Sequence, residues 1–224
     1  MSALIIGAGS GLSAWLARAL SARGPVHLVA RNGARLAEVA RETGATIHLA
    51  DATDENAITD IIEGLEGRLD VAIYNPSARL RGPISELDPA KVRAAIDVTA
   101  FGGFLMGQRA ARRMLAQDGA HKGTIIFTGA SAGEKGFALS APFAMGKFAQ
   151  RGLAQSMARE LHPKGIHVAW VNIDGAIARG NHAPSQADAQ LNPQAIAQSY
   201  LHLIDQPKSA WTNELALRPW VETF

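Results

Sequence analysis

Cysteine is absent from this chain, and tyrosine occurs only at Tyr74 and Tyr200. Without a thiol there is no disulfide, no thiolate zinc site and no cysteine nucleophile, and the composition fits a reducing compartment. Charge of one sign is also lacking: 22 Lys and Arg stand against 20 Asp and Glu, a balance of +2 spread along the chain. The pI near 9.1 therefore reflects a small excess and not a nucleic-acid-binding patch. The apolar runs fall far short of the ~20 residues that a membrane span needs. Gly7 interrupts the first of them, and no basic segment precedes it, so a signal peptide is not expected. The histidines at 27, 48, 121, 162, 167, 182 and 202 show no metal-ligand spacing, and no Ser/His/Asp grouping stands out. These absences lead to the expectation of one cytoplasmic domain over residues 1–224, with no metal, nucleic acid or membrane partner.

What is present is ordinary globular usage, 47% hydrophobic, arranged as short apolar runs alternating with longer amphipathic ones. Strands are expected at Ala3–Ile6, Val26–Ala30, Thr46–Leu49, Asp70–Tyr74, Thr124–Thr128, Ile166–Val171 and Glu214–Leu217. Helices are expected at Leu12–Leu20, Gly33–Glu42, from the N-cap Asp54 to near Gly64, Pro89–Leu115 unbroken, Pro142–Leu161 and Pro193–Ile204. Near-continuous apolar strands separated by helices predict an α/β fold, a doubly wound parallel sheet of about seven strands with helices on both faces. Right-handed crossovers then place ligands outside the carboxyl ends of the strands. The irregular segment Gly175 to Asn192 is the expected substrate loop.

Gly7-Ala8-Gly9-Ser10-Gly11-Leu12-Ser13 follows the first strand directly and opens the first helix. Glycines there permit a tight turn and close approach of a pyrophosphate to backbone amides at a helix N-terminus. The spacing resembles the T-G-x-x-x-G-x-G cofactor loop of the short-chain dehydrogenase/reductases, with Ile6 in place of the Thr and Ser13 in place of the last Gly. The resemblance extends along nearly the whole chain. Asp51-Ala52 looks like the family's adenine contact, and Asn75-Pro76-Ser77-Ala78 is similar to its N-N-A-G segment. Phe143-Ala144-Met145-Gly146-Lys147 looks like its Y-x-x-x-K helix, and Met157 to Val168 resembles the approach to its sixth strand. A Rossmann-type fold, a nicotinamide cofactor, a small-molecule substrate and a homodimer or homotetramer are what this resemblance implies. Gly7, Gly9, Ser10, Gly11, Leu12, Arg31, Asp51, Ala52, Asn75, Pro76, Ser77 and Lys147 are then the expected cofactor contacts. Arg31 follows the second strand where an acidic residue would select NAD; a guanidinium suits a 2′-phosphate, with Arg35 assisting, so NADP(H) is expected over NAD(H).

The family's chemistry uses Tyr, Lys, Ser and Asn. Of these only Lys147 survives residue by residue: Phe143 stands at the Tyr position, Ala130 at the Ser position and Thr99 at the Asn position. Phenylalanine carries no ionisable proton, so the usual general-acid step is missing. Ser131, Thr128 and Ser140 are candidate substitutes from neighbouring positions, and Asp174, where the family has Pro-Gly, is a candidate acid or counter-ion. Retention of Lys147 beside Phe143 points to ribose binding more than to tuning a phenol. Two functions stay open. One is a divergent NADP-dependent oxidoreductase acting on C=N or activated C=C bonds. The other is a catalytically silent NADP(H)-binding sensor or interaction protein, with a smaller place left for non-redox chemistry.

Overall fold

Each apolar tetrad at the N-terminal end of a βα unit forms a short strand, because residues on both its faces can be buried under helices. A computed structural model describes residues 1–178 and 188–222. Among these, β1 (Ala3–Ile6), β2 (Val26–Ala30), β3 (Thr46–Leu49), β4 (Val71–Tyr74), β5 (Gly123–Thr128), β6 (Ile166–Ile173) and β7 (Glu214–Leu217) make one parallel sheet in the order 3-2-1-4-5-6-7. The inner strands β1, β4, β5 and β6 are buried throughout, whereas β3 and β7, at the two edges, are half-exposed. Side-chain alternation divides the core in two. Ala3 and Ile5 face α1 (Leu12–Ser21) and α7 (Pro193–Asp205), packing with Leu16, Leu20 and Tyr200. Leu4 and Ile6 face the opposite layer of α3 (Glu55–Glu63), α5 (Gly102–Leu115) and α6 (Ala141–Leu161), where they join Ile58, Met106 and Ala154. This is the doubly wound Rossmann-type arrangement read from the sequence.

Caps set the helix starts where the sequence placed them. The Asp54 carboxylate accepts from the Ala57 amide at 3.0 Å at the start of α3. Asn192 does the same for the amides of Gln194 and Ala195 behind Pro193 in α7.

The helix expected without interruption from Pro89 to Leu115 is divided. An α4 segment (Pro89–Ile96) passes into a π-turn over Asp97–Phe101 before α5. A wider turn frees main-chain carbonyls from their usual partners, and here both are taken by side chains from other elements. Val98 O accepts from the Tyr74 hydroxyl at 2.5 Å, and Thr99 O accepts from Gln150 Nε2 at 3.1 Å. The tight approach needs small residues. A Cβ at Gly102 would collide with the Tyr74 hydroxyl, and one at Gly146 of α6 would lie 2.8 Å from Thr99 Cβ.

Strand β6 runs two residues beyond its expected end at Val171, to Ile173, because β7 pairs along it as far as Leu217. The helix expected over Gly33–Glu42 begins as a 3-10 turn at Gly33–Leu36 and continues as α2 (Ala37–Thr43). Trp211 is half-buried and stacks on His167 with ring centres 4.9 Å apart, so it is a packing residue here; Trp220 is 80% exposed. Of the expected substrate loop Gly175 to Asn192, residues 179–187 lie outside the described residues. No helix among the described residues is long and apolar enough to cross a membrane.

Candidate active site

The strand order reverses between β1 and β4, and the loops leaving these two strands open the crevice where a doubly wound sheet binds ligands. Gly7 turns with φ +77°, a conformation that favours glycine, and a Cβ there would lie 2.5 Å from Pro76 Cγ. Gly9 and Gly11 are different: a Cβ on either would meet nothing. Their openness leaves the backbone accessible to a ligand. Gly11 also caps α1 without any side-chain hydrogen bond, so the first-turn amides keep their capacity for an anion. Ser13 is buried, and its hydroxyl accepts from Asn75 Nδ2 at 2.6 Å and donates to Gly7 O at 3.3 Å. The serine thus ties the glycine loop to the end of β4 while preserving close packing.

Two hollows meet at Asn75 and Ser77. The smaller, about 330 Å³, is lined by Gly7, Ala8, Arg31, Asp51, Ala52 and Pro76 among others. Asp51 accepts from the Thr53 backbone amide and hydroxyl, which hold its carboxyl below the usual range, with Arg31 adding to the effect. Arg31 Nη1 lies 3.8 Å from Asp51 Oδ2, a loose pair on the surface in which the arginine side chain is 79% exposed. Such a pair contributes little, about 0–1 kcal/mol, so Arg31 is available to another anion. Arg35 is exposed in the following 3-10 turn and is not among the residues lining this hollow.

The larger hollow, about 830 Å³, brings together Gly11, Leu12, Asn75, Thr128, Ala130, Phe143 and Lys147, residues from six separate elements and loops. Lys147 is only 2% exposed; its Nζ donates to Thr128 O at 2.6 Å and to Gln150 Oε1 at 3.2 Å. Burial pushes its pKa down to about 7, and the charge of nearby Arg79 pushes the same way. Phe143 lies one helical turn before it and is 7% exposed on the same wall. Ala130 supplies a methyl group to the lining. Thr99 does not reach the hollow: it is fully buried in the π-turn, where its hydroxyl accepts from the Ala78 amide at 3.1 Å.

The candidate substitutes fare differently. Thr128 lines the hollow, but its hydroxyl is paired with the Tyr200 hydroxyl at 2.9 Å. Ser131 is half-buried, Ser140 is buried, and neither is among the lining residues. Asp174 is buried and ion-paired with Arg218, whose Nε lies 2.8 Å from Oδ2; it too is not among the lining residues, so its nomination as a replacement acid fails on geometry. Its partner lies 44 residues on, beyond any local pattern.

Three participants went unread in the sequence. Gln150 joins Lys147 to the π-turn, and its position one turn after the lysine was the available signal. Tyr200 reaches Thr128 from α7, with no local signal at all. Arg79 lies with its guanidinium 5.1 Å over the Phe143 ring and lines the larger hollow; it directly follows the N-N-A-G-like segment. Among the described residues, no group of three or more side chains could hold a metal ion.

Comparison with known proteins agrees with this architecture. The model of the short chain dehydrogenase family matches residues 1–186. An uncharacterised oxidoreductase of Staphylococcus saprophyticus is 26% identical over 230 residues, covering 97% of this chain and 96% of its own. The crystal structure of a short-chain dehydrogenase from Rhodopseudomonas palustris superposes with a TM-score of 0.85 at 36% identity, over 98% of each chain. That of a metagenomic short-chain oxidoreductase in complex with NADP gives 0.84 at 28% identity, over 99% of this chain and 98% of the other. Family match, sheet order and a glycine loop at the switch point concur, and the chain belongs to the short-chain dehydrogenase family of oxidoreductases.

Proposed function

We propose that this protein is an NADP(H)-dependent oxidoreductase that reduces a substrate needing no tyrosine acid, a preformed iminium or an activated C=C bond. One observation carries the reading: the lysine of the active-site helix is kept and buried, while Phe143 and Ala130 present only carbon to the same cleft. Positioned proton transfer is worth ~10²–10⁴-fold in rate, and an ordinary ketone would forgo it. A C=N⁺ group needs no proton in the reducing step. An activated C=C needs one only afterwards, and water can provide it. When bound, the nicotinamide supplies the hydride. The chain's part is to hold and orient: Gly9 and Gly11 admit the pyrophosphate to the start of α1, Asp51 and Ala52 border the adenine, and Lys147 holds the ribose. The test is NADPH oxidation over a panel of cyclic iminium salts, enones and ketones. Turnover of iminium or enone substrates at least tenfold above matched ketones is expected; a strong ketone preference that survives Lys147→Ala contradicts the reading.

The preference for NADP(H) rests on Arg31, loosely paired and open to the smaller hollow, and the NADP-bound relative supports it. Arg31→Asp is expected to weaken NADPH binding tenfold or more while sparing NADH, since a carboxylate repels the 2′-phosphate and accepts from ribose hydroxyls. Equal losses for both cofactors, measured by fluorescence titration, would remove Arg31 from this role.

A second reading, binding without turnover, is favoured by the closed polar chain Thr128 O–Lys147–Gln150–Thr99 O, which leaves little for a substrate to engage. Tight NADPH binding with no turnover across the panel would select it. A homodimer or homotetramer fits the apolar groove between α5 and α6, which Phe104, Leu115, Leu153 and Met157 help to line.

A further inference from the structure

The larger cleft has an unusual charge inventory. Among the described residues, its lining includes two cationic side chains, Arg79 and Lys147, and no carboxylate. The remaining walls are mostly backbone, small residues and the Phe143 ring. Eight cations of the described residues have a carboxylate partner, as Arg151 has Glu214 and Arg23 has Asp205. Arg79 has none among the described residues. It is held by the face of an aromatic ring, 5.1 Å from the ring centre.

The arrangement has a cost. Two like charges share one cleft, and Arg79 helps to drive the buried Lys147 down to about 7. Arg79 is exposed, so its guanidinium is open to an anion entering the cleft. Its planar fork of donors matches a carboxylate in two parallel hydrogen bonds. The Phe143 ring beneath it limits how far the guanidinium can wander, so part of the ordering is done before a ligand arrives.

Resting on the oxidoreductase reading of this cleft, we propose that Arg79 is the substrate-recognition residue and that the substrate carries a carboxylate, bound by the guanidinium above Phe143. Arg79 then fixes the end of the substrate that does not react, and the iminium or activated alkene lies beside the ring. The phosphates of the cofactor are the competing partner for this cation. They are provided for elsewhere, by the open glycines at the start of α1 and by Arg31.

The test is calorimetric and needs no turnover. The full chain saturated with NADP⁺ is titrated with propanoate, hexanoate and benzoate, and separately with the matching amides. At least one carboxylate should bind, with its amide tenfold weaker or worse. Arg79→Gln should weaken that carboxylate tenfold or more, Arg79→Lys should keep part of the affinity, and NADP⁺ binding should change by less than twofold in both. Three results overturn the proposal: no carboxylate binds, acids and amides bind alike, or Arg79→Gln loses NADP⁺ in step with the acid. Absence of reduction in the substrate panel, with carboxylate binding intact, would defeat the catalytic reading alone.

Discussion

The double variant Phe143→Tyr with Ala130→Ser is expected to reduce simple ketones with NADPH at least ~10²-fold faster than the parent chain, read as kcat/KM. The Phe143 ring already lines the cleft one turn before Lys147, and the substitution adds one oxygen to it. Arg79 over the ring and Lys147 beside it are both cationic, and nearby positive charge favours the phenolate. That charge offsets the upward push that burial gives the new phenol, which keeps a proton to give. Ala130 is the matching place for a hydroxyl that orients a carbonyl. Each single variant should gain much less, since catalytic groups that act as a unit are far from additive. If the double variant binds NADPH but turns over no ketone, the cleft does not align a carbonyl with the cofactor, and binding without turnover becomes the better account.

Lys147→Met should raise stability and weaken cofactor binding together, with the stability gain confined to low and neutral pH. Folding lowers the ammonium pKa from 10.5 to about 7 because the group is fully buried. Between those values the unfolded chain holds more protons than the folded one, so stability rises with pH across this window. Below about pH 7 both states carry the charge, and the folded state bears the whole desolvation cost, on the order of 5 kcal/mol at most. Methionine of similar length removes it. The substitution also leaves Thr128 O and Gln150 Oε1 without their donor, a loss of about 1 kcal/mol each. At pH 6 the net gain is then about 2–3 kcal/mol, or roughly 5–10 °C in melting temperature for a chain of this size. By pH 10 the sign should have reversed, with the variant about 1 kcal/mol less stable than the parent, because the two lost hydrogen bonds then outweigh the remaining charge cost. A variant that melts lower than the parent at pH 6, or whose difference ignores pH, would show that this lysine is not a buried charge.

Much of the fold was legible because the relevant signals are local. Ala3–Ile6, Val71–Tyr74 and Gly123–Thr128 are apolar runs too short for helices, and the glycine loop sits where strand turns to helix. The π-turn at Asp97–Phe101 was not legible, since it exists to serve Tyr74 and Gln150, partners from β4 and α6. The site divides along the same line. Lys147, Phe143 and Ala130 were found by position along the chain and do meet in one cleft. Asp174 was misjudged because Arg218 claims it across the β6–β7 edge. Arg79 was passed over because only the folded chain brings it over Phe143.

Ser13 has a consequence beyond holding two elements close. With its hydroxyl joined to Asn75 at 2.6 Å and directed to Gly7 O, the bend that begins the glycine loop is cross-braced to the neighbouring strand before any nucleotide arrives. Ordering that bend is then charged to folding and not to association. A dinucleotide meets a cradle already set, so less of its interaction energy is consumed in freezing the loop, and more remains as affinity.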